Sequence, residues 1–408
     1  MQSTPKSLRL QIAIFGRVNA GKSSFLNLVT GQKTSITSDI AGTTTDVVEK
    51  AQELLPLGPV LWLDTAGFGD NTKLSEQRLE KTIKALDRAD IAVLVCEGDI
   101  IGDEEKQIIA LAAQHKIPLI KVYNKADKHN ITASDGIIIN AMDENSRDKV
   151  LNELKAALIK ACPEDFINSR PLLGDLAPEH STVVMIIPID YEAPKGRLIM
   201  PQVQAIRDCL DHEQNVLVVK ENDYQTVLQN FKNPPALVIC DSQVVDKMAA
   251  ETPADIKCTT FSILMARFKG DLQKMAKGAA MIDKLQDGDK ILIAESCTHH
   301  AVEDDIGRVK IPNWLRKKTQ KNLQIDHVSG CDFATNLQDY KLVIQCGGCA
   351  INRKEILSRI YKCEQAGIAI TNYGVCISEL KGVLQRVLEP FGDVYKSYVK
   401  AKNSPARF

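Results

Sequence analysis

The sequence predicts an α/β protein of three successive domains, beginning with a doubly wound, largely parallel sheet. Three observations carry that expectation. Short apolar runs alternate with amphipathic stretches along the chain, which is how parallel strands joined through helices read. A polar stretch holding Pro163, Pro171, Gly174 and Pro178 interrupts the alternation after its first third. The 408 residues, 44% apolar and 25% charged, have the length of two or three domains and the apolar material for their cores.

In the first domain, residues 1–168, the apolar runs Leu10 to Phe15, Val60 to Leu63, Ile91 to Val95 and Leu119 to Tyr123 read as buried strands. Helical patterns follow at Lys22 to Thr30, Ser75 to Leu86, Asp103 to His115 and Glu144 to Cys162. The second domain, residues 169–261, is a small α/β unit. Its strands are expected at Thr182 to Ile189, Val216 to Lys220 and Ala236 to Cys240, with helices at Gln202 to Leu210 and Tyr224 to Phe231. A long amphipathic stretch, Ser262 to Leu285, opens the third domain, residues 262–408. Strands at Ile291 to Glu295, Gln324 to Val328, Leu342 to Gln345 and Ile368 to Asn372 and a helix at Asn352 to Gln365 complete it.

Charge and hydropathy narrow the partners. A formal net charge of −1 offers no bulk field for nucleic acid or an anionic membrane. No apolar run nears the roughly 18 residues of a membrane span. Met1 to Leu8 lacks the apolar centre of a signal peptide, so the expected compartment is the cytoplasm. There, the 11 cysteines are thiols rather than disulfides. Cys96, Cys209, Cys240 and Cys258 read as small core hydrophobes.

Gly16-Arg17-Val18-Asn19-Ala20-Gly21-Lys22-Ser23 fits a phosphate loop, with a strand before it and a helix after it. The terminal glycines let backbone N–H groups wrap a phosphate, Lys22 reaches the β- and γ-phosphates, and the Ser23 hydroxyl ligates Mg²⁺. Gly16, Asn19, Ala20, Gly21, Lys22, Ser23 and Ser24 are the candidate nucleotide contacts in this loop. Asp64-Thr65-Ala66-Gly67 follows a strand, so Asp64 can hold Mg²⁺ and the Gly67 N–H can sense the γ-phosphate. Asn124-Lys125-Ala126-Asp127 follows another. Guanine offers two adjacent N–H donors that one carboxylate accepts together, and adenine does not, so Asp127 selects GTP over ATP. Asn140-Ala141 lies where a backbone N–H could meet the guanine O6. Phe68 stands where a water-orienting Gln would act, and an apolar ring cannot position water, so hydrolysis is expected to be slow.

The third domain carries a second constellation. Cys297-Thr298-His299-His300 follows one predicted strand and Cys346-Gly347-Gly348-Cys349 another. If those strands are parallel, both motifs leave the same sheet edge, where open α/β sheets bind ligands. Three thiolates near two imidazoles suit a zinc site and an iron–sulfur cluster equally, and a thiol redox pair less well.

The nucleotide motifs resemble the translation-factor-like GTPases, in particular the potassium-dependent TrmE/Era-like branch. That resemblance implies K⁺ at Asn19, a Gly42-Thr43-Thr44-Thr45-Asp46 switch in which Thr44 closes on Mg²⁺, and K⁺-stimulated hydrolysis. With it, Lys22, Thr44, Asp64 and Gly67 form the candidate catalytic set. A GTPase domain followed by Cys-x-His, a long gap and Cys-x-x-Cys is similar to the HydF family, the scaffold GTPases of [FeFe]-hydrogenase maturation. Pro188 to Leu210, with Ala193-Pro194-Lys195-Gly196-Arg197 and Pro201-Gln202, resembles that family's middle domain. The family likeness implies a homodimer formed by the middle domain and a [4Fe–4S] cluster on Cys297, Cys346 and Cys349. It also implies a two-iron precursor received from radical S-adenosylmethionine maturases and passed to the apo-hydrogenase. Many members have His directly before the Cys-x-x-Cys, where this chain has Gln345. The fourth iron corner is therefore expected on His299, another exchangeable group or water, with His300, Glu303 and Cys331 as weaker candidates. Two other functions fit these residues less well. A ribosome-associated GTPase with structural zinc would call for a basic domain, and a thiol redox sensor would leave the histidines without a role.

Overall fold

Leu10–Phe15 (β1) is buried at every position, as expected of a strand covered on both faces. Its alternate residues serve two separate cores. Leu10, Ile12 and Ile14 pack with Phe25, Leu26 and Leu154, while Ala13 and Phe15 pack with Leu61, Leu63 and Leu86. That period of two defines a doubly wound sheet. The computed structural model describes residues 5–31, 48–65, 75–163, 166, 170–189, 198–296, 305–330, 333–334, 336–349 and 351–404.

The chain divides into two compact units, Met1–Ser169 and Arg170–Phe408. In the first, Val48–Leu54 (β2), Gly58–Asp64 (β3), Ile91–Glu97 (β4), Leu119–Asn124 (β5) and Ile137–Ile138 (β6) join β1 in the order β2-β3-β1-β4-β5-β6. Lys22–Thr30 (α1), Ser75–Arg88 (α2), Asp103–Gln114 (α3) and Arg147–Ala161 (α4) are its helices. All pairings are parallel except β2 with β3. The periodicity misses β2 for a physical reason. It is an edge strand carrying Glu49, Lys50, Gln52 and Glu53, so no apolar run marks it. At its end α1 is closed by Gly31, in the left-handed region at φ 68°, whose N–H donates to Asn27 O at 2.9 Å.

The second unit holds two four-stranded parallel sheets. Thr182–Ile186 (β7), Asn215–Val219 (β8), Leu237–Cys240 (β9) and Lys257–Thr260 (β10) form one, in the order β10-β9-β7-β8. Met200–Asp211 (α5), Tyr224–Gln229 (α6) and Val245–Glu251 (α7) connect its strands. The fourth strand, β10, is four residues long and polar at three of them, which hides it from an apolar-run reading. Lys290–Ala294 (β11), Gln324–Val328 (β12), Leu342–Gln345 (β13) and Ala369–Asn372 (β14) form the other sheet, in the order β12-β11-β13-β14. The amphipathic stretch before it is two helices, Phe261–Lys269 (α8) and Leu272–Ala279 (α9). The break falls where Asp271 accepts the Lys274 N–H at 3.0 Å and starts a new helix. Ile311–Thr319 (α10), Arg353–Gln365 (α11), Tyr373–Leu380 (α12), Leu384–Leu388 (α13) and Gly392–Asn403 (α14) follow. One continuous apolar core runs from Leu172 through both sheets to Tyr398. The middle and last stretches of the sequence thus fold as a single packed body.

Candidate functional site

In the first unit the strand ends converge. Gly16 adopts φ +149°, and a Cβ there would sit 2.3 Å from Val95 O, so no other residue fits. A Cβ on Gly21 would lie 2.1 Å from Asn124 Nδ2. That close approach lets the buried Asn124 amide donate to Ala20 O at 2.9 Å, while its Oδ1 accepts the Ala141 N–H at 2.9 Å. Asn124 therefore ties the phosphate loop to the base-binding segment. The Asn140-Ala141 segment expected near the guanine O6 is thereby held beside the loop, the buried amide using both of its polar atoms. Asn140 Oδ1 accepts the Met142 N–H at 3.1 Å.

Lys22 Nζ donates to Gly16 O at 3.0 Å and Arg17 O at 3.1 Å, the lysine lying inside its own loop. Burial pushes its ammonium pKa down, and the Asp64 carboxylate pulls it back up. Ser23 Oγ donates to Asp64 Oδ2 at 3.3 Å. The Asp64 carboxyl is raised by burial, against hydrogen bonding from Ser23 and the charge of Lys22. A hydroxyl and a carboxylate side by side are the hard oxygen donors Mg²⁺ takes. Asn19 is in the left-handed region, φ 62°, and exposed within the loop, and Ser24 is half-buried in the first turn of α1. Asp127 is exposed one turn beyond β5. Thr44 and Gly67 lie outside the described residues.

One participant was missed by the sequence reading. Glu97, the last residue of β4, accepts from Lys125 Nζ at 2.8 Å and pairs with Arg17 Nη2 at 3.4 Å. The Lys125 hydrogen bond holds its carboxyl below the usual range. Its carboxylate thereby bridges the phosphate loop and the guanine motif. An acid at a strand's carboxyl end beside Gly98 was the available signal.

In the second unit, β11 and β13 are parallel neighbours, with Ala294 opposite Gln345. The Cys346 N–H donates to Ala294 O at 2.9 Å. Ser296, the residue before Cys297, donates its N–H to Cys346 Sγ at 3.1 Å, and its Oγ lies 3.1 Å from the same sulfur. Cys346 is half-buried and Cys349 exposed, at the carboxyl edge of the sheet. Gly348, φ +64°, turns the chain between them, and a Cβ there would meet Ile356 Cδ1 at 2.7 Å. Cys297, His299, His300, Glu303 and Cys331 lie outside the described residues, and among the described residues no group of three metal-ligating side chains occurs. Gln345 is 1% exposed, and its Oε1 is buried with no hydrogen-bond partner among the described residues.

Beneath the loop lies Lys269, 1% exposed, whose Nζ donates to Gly348 O and Ile351 O at 3.1 Å each. Burial pushes its ammonium down to about 8, against the pull of the Cys349 and Cys346 thiolates. No sequence signal marked it, since it ends a helix 79 residues before Gly348. The remaining thiols differ in kind. Burial raises Cys96 to about 11, Cys209 to about 12 and Cys258 to about 11, and takes Cys240 well above the usual thiol range. They are packing residues. The donor set that fits a thiolate-held iron–sulfur centre is the rim pair: a half-buried and an exposed cysteine, the first already receiving an amide N–H, over a buried cation.

Three family models match the chain. Residues 11–125 match the "50S ribosome-binding GTPase" model, residues 172–270 the "Hydrogen maturase F dimerization domain" and residues 273–390 the "Hydrogen maturase F tetramerization domain". Curated relatives align with the first unit. "GTPase Der" of Wolinella succinogenes is 37% identical over 131 residues, 31% of this chain and 27% of that one. "tRNA modification GTPase MnmE" of Caldicellulosiruptor saccharolyticus is 31% identical over 163 residues, 38% of this chain and 35% of that one. This chain thus spans about a quarter to a third of the length of the relatives it matches. Among the described residues no helix is long and apolar enough to cross a membrane.

Proposed function

This chain belongs to the hydrogen maturase F (HydF) family of hydrogenase-maturation GTPases, and from that premise we propose that it is a GTP-binding and GTP-hydrolysing iron–sulfur scaffold. Its first unit binds and hydrolyses GTP with Mg²⁺ on Ser23 and Asp64, K⁺ on Asn19, and Asp127 reading the base. Its last domain carries a [4Fe–4S] cluster on Cys297, Cys346 and Cys349, with His299 or an exchangeable ligand at the remaining iron. The cargo is a two-iron precursor, taken from radical S-adenosylmethionine maturases and delivered to the apo-[FeFe]-hydrogenase.

Behind the cluster assignment stands the contact of Ser296 with Cys346 Sγ, which brings the chain segment entering Cys297 to the Cys-x-x-Cys loop. When bound, the cluster supplies an iron corner open to exchange, the property a scaffold needs in order to accept and release a second unit. The protein's own residues hold the sulfurs at the sheet edge, feed an amide N–H to one of them and turn the loop at Gly348. Metal analysis and electron paramagnetic resonance on air-protected protein test the assignment. Brown protein with about three to four irons per chain is expected; colourless protein holding a single zinc would replace the cluster with a structural metal.

Homodimerisation is proposed at β8. This strand is the open edge of its sheet, yet it exposes Leu217 (37%) and Val218 (45%) instead of the charges that usually blunt an edge. Helix α5 packs against it and exposes Val203 and Leu210, one helical face at i and i+7. The double substitution Leu217→Lys, Val218→Lys is expected to halve the particle mass measured by light scattering while leaving GTP turnover in place. An unchanged mass would move the interface elsewhere.

A further inference from the structure

We propose that Lys269 is the counter-cation and clamp of the Cys346–Cys349 loop, so that the last helix of the dimerisation stretch forms the floor of the cluster site. The proposal builds on the iron–sulfur assignment above and adds to it a residue from outside the matched stretch that holds the cysteine loop. Helix α8 lies within residues 172–270, the dimerisation match, whereas the loop lies within 273–390. Two reciprocal contacts join them. Lys269 Nζ caps Gly348 O and Ile351 O, and Arg353 Nη1 reaches back to Phe268 O at 3.0 Å and Gly270 O at 3.3 Å. The carbonyls at the end of α8 and those of the loop are therefore each satisfied by a cation from the other side.

The charge of Lys269 is the unusual part. A fully buried ammonium is costly unless an anion faces it. Among the described residues no carboxylate pairs with Lys269; two carbonyls take two of its three donors. The carbonyl it caps at Gly348 lies between Cys346 and Cys349, which places those two sulfurs in the loop directly above the ammonium. A cluster held by three thiolates is anionic, and its negative charge grows by one on reduction. A fixed cation beneath it stabilises the reduced form more than the oxidised form, because in a low-dielectric site the attraction scales with charge. Lys269 thus sets the centre's potential as well as the loop's shape, and it couples both to the domain that forms the dimer.

The test compares full-length wild type with Lys269→Met, which removes charge and clamp, and Lys269→Gln, which removes the charge but keeps a donor. Each is reconstituted anaerobically and titrated with dithionite, and the paramagnetic signal is followed. Both variants are expected to shift the midpoint negative by about tenfold in the one-electron equilibrium, about 59 mV. Lys269→Met is also expected to lose iron faster to a chelator, and both variants to hydrolyse GTP as wild type does. Midpoints equal to wild type in either variant overturn the proposal, and Lys269→Gln alone decides it should Lys269→Met prove insoluble. Wild-type protein that takes up no cluster would instead overturn the iron–sulfur assignment itself, a separate outcome.

Discussion

Lys22→Ala is expected to lower GTP turnover by roughly 10²–10³-fold, about 2.7–4 kcal/mol, the loss typical of removing one preorganised donor from developing transition-state charge. In phosphoryl transfer the protein contributes mostly positioning and charge, and Lys22 is the cation inside the loop that wraps the phosphates. It also satisfies two loop carbonyls, Gly16 O and Arg17 O, so truncation unpairs both and loosens the cradle. The deficit should therefore appear in kcat and in nucleotide affinity together, measured by phosphate release and by titration with a fluorescent guanine nucleotide. Wild-type turnover in the variant would remove the phosphate-loop assignment. Replacing K⁺ by Na⁺ in the same assay reads the Asn19 proposal, with slower hydrolysis expected in sodium.

Cys346→Ser is expected to abolish the cluster signal and bring iron near zero, with GTP hydrolysis within about twofold of wild type. An alcohol is not deprotonated near neutral pH and is a poor ligand for iron where a thiolate is required. Position 346 is also the sulfur that meets Ser296, so the substitution strikes the junction of the two cysteine-bearing segments. Hydrolysis should survive because the nucleotide residues and Cys346 belong to different compact units with separate cores. Iron content and paramagnetic resonance are measured beside phosphate release on the same preparation. Full iron retention would move the centre away from the rim, and loss of hydrolysis would contradict the modular scheme.

Much of this molecule was legible in its residues, and the legible parts share a property. Strands β1, β4 and β13 are apolar at nearly every position because helices cover both faces, so composition alone marks them. The phosphate loop is legible because its chemistry uses consecutive backbone groups, and Gly16 and Gly21 are demanded by local geometry that a linear motif records. What escaped are elements defined by partners distant in sequence. Strand β2 is recognisable only by its neighbour β3, the division of the amphipathic stretch Ser262 to Leu285 into two helices is set by Asp271, and Glu97 acquires a role only when Arg17 and Lys125 arrive from the loops after β1 and β5.

Nucleotide chemistry, fold class and the cysteine spacing were determined by the sequence itself, since each depends on residue type over a few adjacent positions or on a short period. Tertiary structure alone decided that Gln345 is buried while Cys346 is half-buried at the rim, that the Ala141 N–H donates to Asn124, and that an ammonium from α8 lies beneath the cysteine loop. The physical reason is that burial and charge pairing depend on which segments meet in three dimensions. Lys269 and Gly348, 79 residues apart, become a single site only once the helix and the sheet edge have packed together.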